Sequence, residues 1–253
     1  MNEVQVTIEN GISVIAINRP EARNAVDLAV ARGIAQAVDE IDARDDIRVG
    51  VLTGVGGGFC AGMDLKAFLR GEVGRIEGRG FAGFTERPPA KPMIAAVEGY
   101  ALAGGLELAL ACDLIVASRT SRLGLPEVRR GLVANAGGLV RLPRQMPVRI
   151  AMELVLTGEP MAPETLAGFG LINRVVEPGQ ALDAALEMAR TIAGNAPMAV
   201  RVSKEVVTRS GDWPSTEMFR LQRDITAPVF VSADAREGAL AFAQKRAPAW
   251  SGR

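Results

Sequence analysis

The sequence predicts an α/β fold made of stacked layers of small parallel sheets, followed by an all-helical C-terminal region. Three observations carry this prediction. Short apolar runs bounded by Gly, Pro or Asn recur at strand length as far as residue 176, and they alternate with helical periodicity in a strand, strand, helix rhythm. Beyond residue 176 only helical patterns remain. At 253 residues and 48% hydrophobic, the chain is long enough for one large domain with a smaller appendage, so residues 1–195 are expected to form the α/β core and residues 196–253 a helical unit.

The elements follow in order. Residues 4–8 and 12–17 alternate like strands, and Asn10-Gly11 between them predicts a tight hairpin turn. Arg19-Pro20 ends the second strand. Asp27 caps a helix running to about residue 43, with Leu28, Ile34, Ala35, Val38 and Ile41 on its apolar face. Residues 49–53 read as a buried strand, and the Gly-rich loop 54–62 leads to a helix capped by Asp64. Glycines and arginines break any period over residues 70–89, which predicts a mobile or irregular loop. Residues 92–97 form the next strand, 104–111 a helix, and 113–117 another strand. A turn or two of helix is expected before Pro143, then helices at 148–156 and 163–168, and a last strand at 171–176. Helices at 181–193, 198–209, 214–226 and 233–244 complete the chain.

Composition removes several function classes. The chain contains no histidine, which eliminates Ser-His-Asp and Cys-His nucleophile systems and every His-ligated metal site. Proton chemistry must fall to carboxylates, lysines, tyrosine or cysteine. Lys+Arg and Asp+Glu balance at 29 each, so nothing predicts bulk attraction to nucleic acid or to a membrane surface. Cys60 and Cys112 lack metal-ligand spacing and read as buried apolar residues, consistent with a reducing, cytoplasmic location. The N-terminal residues show no signal-peptide pattern, and the longest apolar stretch, 95–111, is broken by Glu98, Gly104-Gly105 and Glu107, so it predicts no membrane span. Gly56-Gly57-Gly58 matches neither a P-loop nor a dinucleotide fingerprint. Trp213 and Trp250 read as packing or interface residues.

Two features carry chemistry. Met63 and Gly104 each lie in a glycine-containing turn that opens a helix, where unpaired N–H groups and the positive end of the dipole meet. Two such amides aimed at one point form an oxyanion hole; equally, Gly104-Gly105 can simply allow a tight strand-to-helix turn. The second feature is a carboxylate pair. Glu107 falls on an otherwise apolar helix within Gly99-Tyr-Ala-Leu-Ala-Gly-Gly-Leu-Glu107, as a catalytic group, as a solvent-facing residue, or as a dipole-compensating glutamate in the first turn. Glu127 follows Pro126 and is either its catalytic companion or a surface partner for Arg129 or Arg130. An acid useful at neutral pH needs burial or a second carboxylate to raise its pKa by roughly two units, about 3 kcal/mol.

Read as a combination, Phe59-Cys-Ala-Gly-Met-Asp-Leu-Lys66, the segment from Lys91-Pro92 through Cys112-Asp113, and Gly124-Leu-Pro-Glu-Val128 resemble the crotonase, or enoyl-CoA hydratase/isomerase, superfamily. The resemblance continues through Ala136-Gly-Gly138, Arg141-Leu-Pro143, Ala151-Met-Glu-Leu-Val-Leu-Thr-Gly158, and Phe242-Ala-Gln-Lys245, so it spans nearly the whole chain. It implies a crotonase-like spiral of ββα repeats with a C-terminal helical region that builds trimers, commonly paired into hexamers. It places Met63 and Gly104 at the oxyanion positions, and Glu107 and Glu127 at the paired glutamates of the hydratases. Ala22, Arg23, Ala61, Asp64, Leu65 and Lys66, with Phe242 and Lys245 of a neighbouring subunit, fall where relatives contact coenzyme A and substrate.

The implied reaction is reversible hydration of a trans-2-enoyl-CoA, with no metal and no redox cofactor, coenzyme A being part of the substrate. A double-bond isomerase or a specialised 3-hydroxyacyl-CoA dehydratase is the alternative within the fold, and a non-catalytic acyl-CoA binding protein the alternative outside catalysis. Both glutamates being present favours water chemistry. Ala103 stands where a third glycine is frequent, which is tolerable where that residue avoids positive φ. Asn135 and Leu139-Val140 replace a usual glycine and a polar pair, and with the loop 71–89 they bear on the acyl group rather than the reaction class.

Overall fold

The computed structural model describes residues 3–253; Met1 and Asn2, the first residues of the strand-like N-terminus, lie outside the described residues. The elements are β1 (Val4–Glu9), β2 (Ile12–Ile17), α1 (Leu28–Ala43), β3 (Val49–Gly54), α2 (Leu65–Leu69), β4 (Arg75–Ile76), β5 (Gly80–Phe81), β6 (Met93–Val97), β7 (Tyr100–Leu102) and α3 (Gly104–Ala111). They continue with β8 (Leu114–Ser118), β9 (Arg122–Gly124), α4 (Gly138–Gln145), α5 (Val148–Thr157), α6 (Pro163–Gly168), β10 (Arg174–Val176), α7 (Ala181–Ala193), α8 (Pro197–Ser210), α9 (Met218–Phe230) and α10 (Ala233–Ala243).

The layers are unequal. One sheet has six strands in the order β1-β2-β3-β6-β8-β10, with β1 antiparallel to β2 and every other pair parallel. Asn10 and Gly11 both take positive φ in the β1–β2 turn, as a tight hairpin requires. A second, narrow layer pairs β7 with β9 in parallel and is widened by bridges from Cys60 to Ala101 and from Leu123 to Met161. Strands β6 and β8 each bend into this second layer, as β7 and β9, within a few residues. Neither stub was expected from the sequence, because three residues are too few to show a period.

Alternation along the large sheet sends its side chains into two cores. Val49, Val51, Ile94, Ala96 and Val116 meet Ala185 and Ala189 of α7, whose four-residue spacing of alanines lets the helix lie close to the sheet. Ile15, Leu52, Ala95, Val97 and Ala117 face the opposite core, with α1, α3 and the second layer. The caps expected at Asp27 and Asp64 form, through Val30 N and through Lys66 N and Ala67 N. Leu28, expected on the apolar face of α1, is only half-buried.

Four expectations need correction. Residues 70–89 are irregular, as expected, and mostly exposed as far as residue 79, but residues 80–85 are packed: Phe81, Ala82, Phe84 and Thr85 are buried, and β4 pairs with β5 as a short antiparallel hairpin. Helix α4 runs through Pro143, and α9 through Pro228. Each proline removes one donor, opposite Leu139 and Asp224, and both of those residues are exposed, so water can replace the missing bond. The strand expected at 171–176 pairs only over Arg174–Val176, because the Asn173 side chain accepts the Ile115 N–H and takes a ladder position. No helix among the described residues is long and apolar enough to cross a membrane.

Candidate active site

The site lies where two helix-opening turns touch. A Cβ built on Gly62 would come within 2.8 Å of the Ala103 Cβ and 3.0 Å of the Gly104 nitrogen, so the turn carrying Met63 packs directly against the turn carrying Gly104. Met63 bridges Val26, with Val26 N donating to Gly62 O and Asp64 N to Val26 O, which leaves the Met63 N–H on the opposite side. Gly104 is the first residue of α3, so its N–H has no intrahelical acceptor. Among the described residues no group accepts either N–H. Gly105 is forced by crowding: a Cβ there would stand 2.1 Å from the Cys60 carbonyl oxygen.

Ala103 is the N-cap of α3 with φ 53° and ψ −129°, so the condition on which its replacement of glycine was acceptable is not met. The chain tolerates a strained alanine because Ala103 N donates to Gly124 O and the turn is packed on both sides. Ala103→Gly is expected to stabilise the protein by about 1 kcal/mol, the strain relieved exceeding the entropy gained by the unfolded chain. Chemical denaturation checks this, and an unchanged or lowered midpoint would refute it.

Met63, Gly104, Glu107 and Glu127 all line one cavity of about 760 Å³. Its remaining wall is largely apolar, including Phe68, Val73, Phe81, Leu102 and Leu132. Glu107 lies one turn along α3 from Gly104 and is 2% exposed, which excludes the solvent-facing reading. Its Oε1 accepts from Ala136 N at 2.7 Å and Gly138 N at 2.8 Å. Burial raises its pKa, an effect the two amides and the Arg141 guanidinium only partly offset.

Glu127 is held differently. It sits in a 3₁₀ turn, Pro126–Arg130, and is 8% exposed. Its Oε2 is buried without a hydrogen-bond partner. Neither neighbouring arginine pairs with it: Arg129 is engaged by Glu159 and by the Thr157 carbonyl. Burial pushes the Glu127 pKa up to about 7, opposed by a backbone hydrogen bond and Arg130 and aided by the charge of Glu107.

The other expected contact residues divide. Arg23, Ala61 and Leu65 line the cavity; Ala22, Asp64 and Lys66 do not. Asp64 is wholly engaged by the fold, with its carboxylate accepting from Lys66 N, Ala67 N and Arg19, its N–H donating to Val26 and its carbonyl accepting from Phe68. Phe242 and Lys245 lie at the end of the C-terminal helical region and do not line the cavity of their own chain. Sequence reasoning missed Phe81, hidden in a loop read as irregular, although Phe81 and Phe84, three residues apart within that loop, signalled packing. It also missed the amides of Ala136 and Gly138 as the clamp on Glu107. The thiols of Cys60 and Cys112 are free and buried, and burial pushes Cys60 up to about 12, so neither is a nucleophile. Among the described residues no three His, Cys, Asp or Glu side chains group to hold a metal ion.

A model of the enoyl-CoA hydratase/isomerase family matches residues 7–253. Among curated proteins, the enoyl-CoA hydratase EchA19 of Mycobacterium tuberculosis H37Rv is 41% identical over 95% of this chain and 93% of its own length. The carnitinyl-CoA dehydratase of Proteus mirabilis is 38% identical over 99% and 98%. Among solved structures, an enoyl-CoA hydratase from Mycobacterium tuberculosis H37Rv superposes with a TM-score of 0.98 at 56% identity, covering all of both chains. The chain therefore belongs to the enoyl-CoA hydratase/isomerase family.

Proposed function

We propose that the protein catalyses reversible addition of water across the 2,3-double bond of a trans-2-enoyl-CoA. The observation that carries this reading is the unequal carboxylate pair: Glu107 clamped by two amides, Glu127 buried with an unpartnered oxygen and a pKa of about 7, both on the cavity that also receives the free Met63 and Gly104 amides. The two amides bind the thioester oxygen and stabilise the negative charge that accumulates there as C3 is attacked, each donor contributing roughly 3–4 kcal/mol to the transition state. Glu107 positions a water and takes its proton. Glu127 exchanges the proton at C2, a task suited to a group whose pKa lies near neutrality. The chemistry calls on neither a metal nor a redox cofactor. Arg23, Ala61 and Leu65 contribute to the coenzyme A flank, with Ala22 and Lys66 at its edge.

The C-terminal region supports self-association into a trimer or a hexamer. Helices α8 and α9 bury no residue within the chain, and Phe230 and Phe242 are 79% and 89% exposed. In such an assembly Phe242 and Lys245 reach the site of a neighbouring subunit. A monomeric mass in solution would contradict this. The buried free thiols suit a reducing, cytoplasmic setting.

The test is to mix the protein with crotonyl-CoA and follow loss of the conjugated thioester absorbance. Hydration is expected. Tight acyl-CoA binding without turnover on short, medium or branched enoyl-CoA would instead identify a binding module. Movement of the double bond without water addition would identify an isomerase.

A further inference from the structure

We infer that Arg130 is a specificity-determining residue that receives a carboxylate at the far end of the acyl chain, so that the substrates include 2-enoyl thioesters of dicarboxylic acids. The inference rests on the hydratase reading of the cavity. Arg130 and Glu127 are three residues apart in the 3₁₀ turn Pro126–Arg130, where side chains at that spacing eclipse, and both line the cavity. Gly131, with φ 67°, ends the turn immediately after Arg130.

Among the described residues the Arg130 guanidinium has neither an ion pair nor a hydrogen bond, whereas Arg129 is held by Glu159 and Arg141 by the Thr85 carbonyl. Arg130 is an exposed residue, so its fork of five donors meets water rather than protein at the edge of an otherwise mostly apolar cavity. Its charge also works against Glu127, whose proton it helps to expel. A neutral side chain would serve that proton better, and an anion seated on Arg130 would cancel the opposing field.

Position separates an acyl carboxylate from a coenzyme A phosphate. The thioester oxygen belongs between Met63 and Gly104. Arg23 lies on the Met63 flank, where its carbonyl accepts the Ala61 N–H, while Arg130 lies on the Glu127 flank. Coenzyme A and the acyl chain leave the thioester in opposite directions, so a ligand with its nucleotide toward Arg23 turns its acyl end toward Arg130. The rise between Glu127 and Arg130 is roughly 6 Å, which sets the carboxylate a few bonds beyond the reacting carbons. A cationic acyl group would be repelled.

The experiment compares wild type, Arg130→Met and Arg130→Lys in two arms. Calorimetric binding of butyryl-CoA and glutaryl-CoA reads Arg130 without turnover. Hydration of crotonyl-CoA and glutaconyl-CoA reads it in catalysis. Wild type is expected to bind glutaryl-CoA more tightly, and Arg130→Met to lose about 10- to 100-fold on the carboxylated ligand while staying within about twofold on butyryl-CoA. Arg130→Lys retains the charge but not the fork and falls between them. Equal losses on both ligands would assign Arg130 to coenzyme A and overturn the inference, as would a wild type indifferent to the carboxylate. Should neither enoyl-CoA be hydrated while the binding difference persists, the hydratase reading fails and the role of Arg130 stands.

Discussion

Glu127→Gln is expected to lose hydration activity by roughly 10²- to 10⁴-fold while becoming more stable than wild type above neutral pH. The two effects have one cause. Burial with an unpartnered oxygen raises the folded pKa to about 7, above the ordinary value of 4.5, so the native state holds this proton more tightly than the unfolded state does. Stability from the protonated acid is fully present below about pH 4.5 and is lost as pH rises through about 7. The loss amounts to roughly 3 kcal/mol. Glutamine does not titrate, so its unfolding free energy lacks this term. Urea unfolding of both proteins at pH 5 and pH 8 measures it: the difference between them must open at pH 8. Parallel stability profiles would mean that Glu127 is solvated in the native protein, and wild-type hydration by the variant would remove its proton-transfer role.

Glu107→Ala, in contrast, is expected to lose activity and stability together. Its Oε1 is the acceptor for both Ala136 N and Gly138 N in a buried setting. Removing it leaves two amides without an acceptor, at about 1–3 kcal/mol each, so a loss of roughly 2–6 kcal/mol is expected. Glu107→Gln keeps an acceptor oxygen and should recover most of that stability while remaining inactive. The pair of variants therefore separates the clamp from the chemistry. Denaturant midpoints alongside crotonyl-CoA kinetics provide the check, and an alanine variant as stable as wild type would show that the loop 134–138 is held by other means.

These two predictions depend on facts that the sequence conveys unevenly. The glutamates could be picked out because a charge inside Leu106-Glu-Leu-Ala-Leu110 conflicts with its neighbours, and because Pro126 isolates Glu127 at a turn. Local signals were also sufficient for the hairpin at Asn10-Gly11, the caps at Asp27 and Asp64, and the bounds of α3 and α7, since each depends on residues within a turn or two. Signals failed where partners are distant. The second layer is built from three-residue stubs and single bridges, visible only once β7 meets β9 and Cys60 meets Ala101. The loop 70–89 looked structureless because its order comes from burying Phe81 and Phe84 against other segments rather than from any repeat of its own.

The sequence by itself determined the family, the alternation of strand and helix, and the identity of the two carboxylates, because these reside in residue type and short spacing. It left Glu107 and Glu127 chemically alike. Only the tertiary structure made them different, by bringing the Ala136 and Gly138 amides to one and leaving the other buried with an oxygen unpaired. Hydrogen bonding and desolvation depend on what surrounds a group in space, and residues nearly 30 positions apart in the chain supply that surrounding here. The same holds for Ala103, an ordinary alanine in the sequence and a strained one in the fold, set at the point where the two helix-opening turns meet.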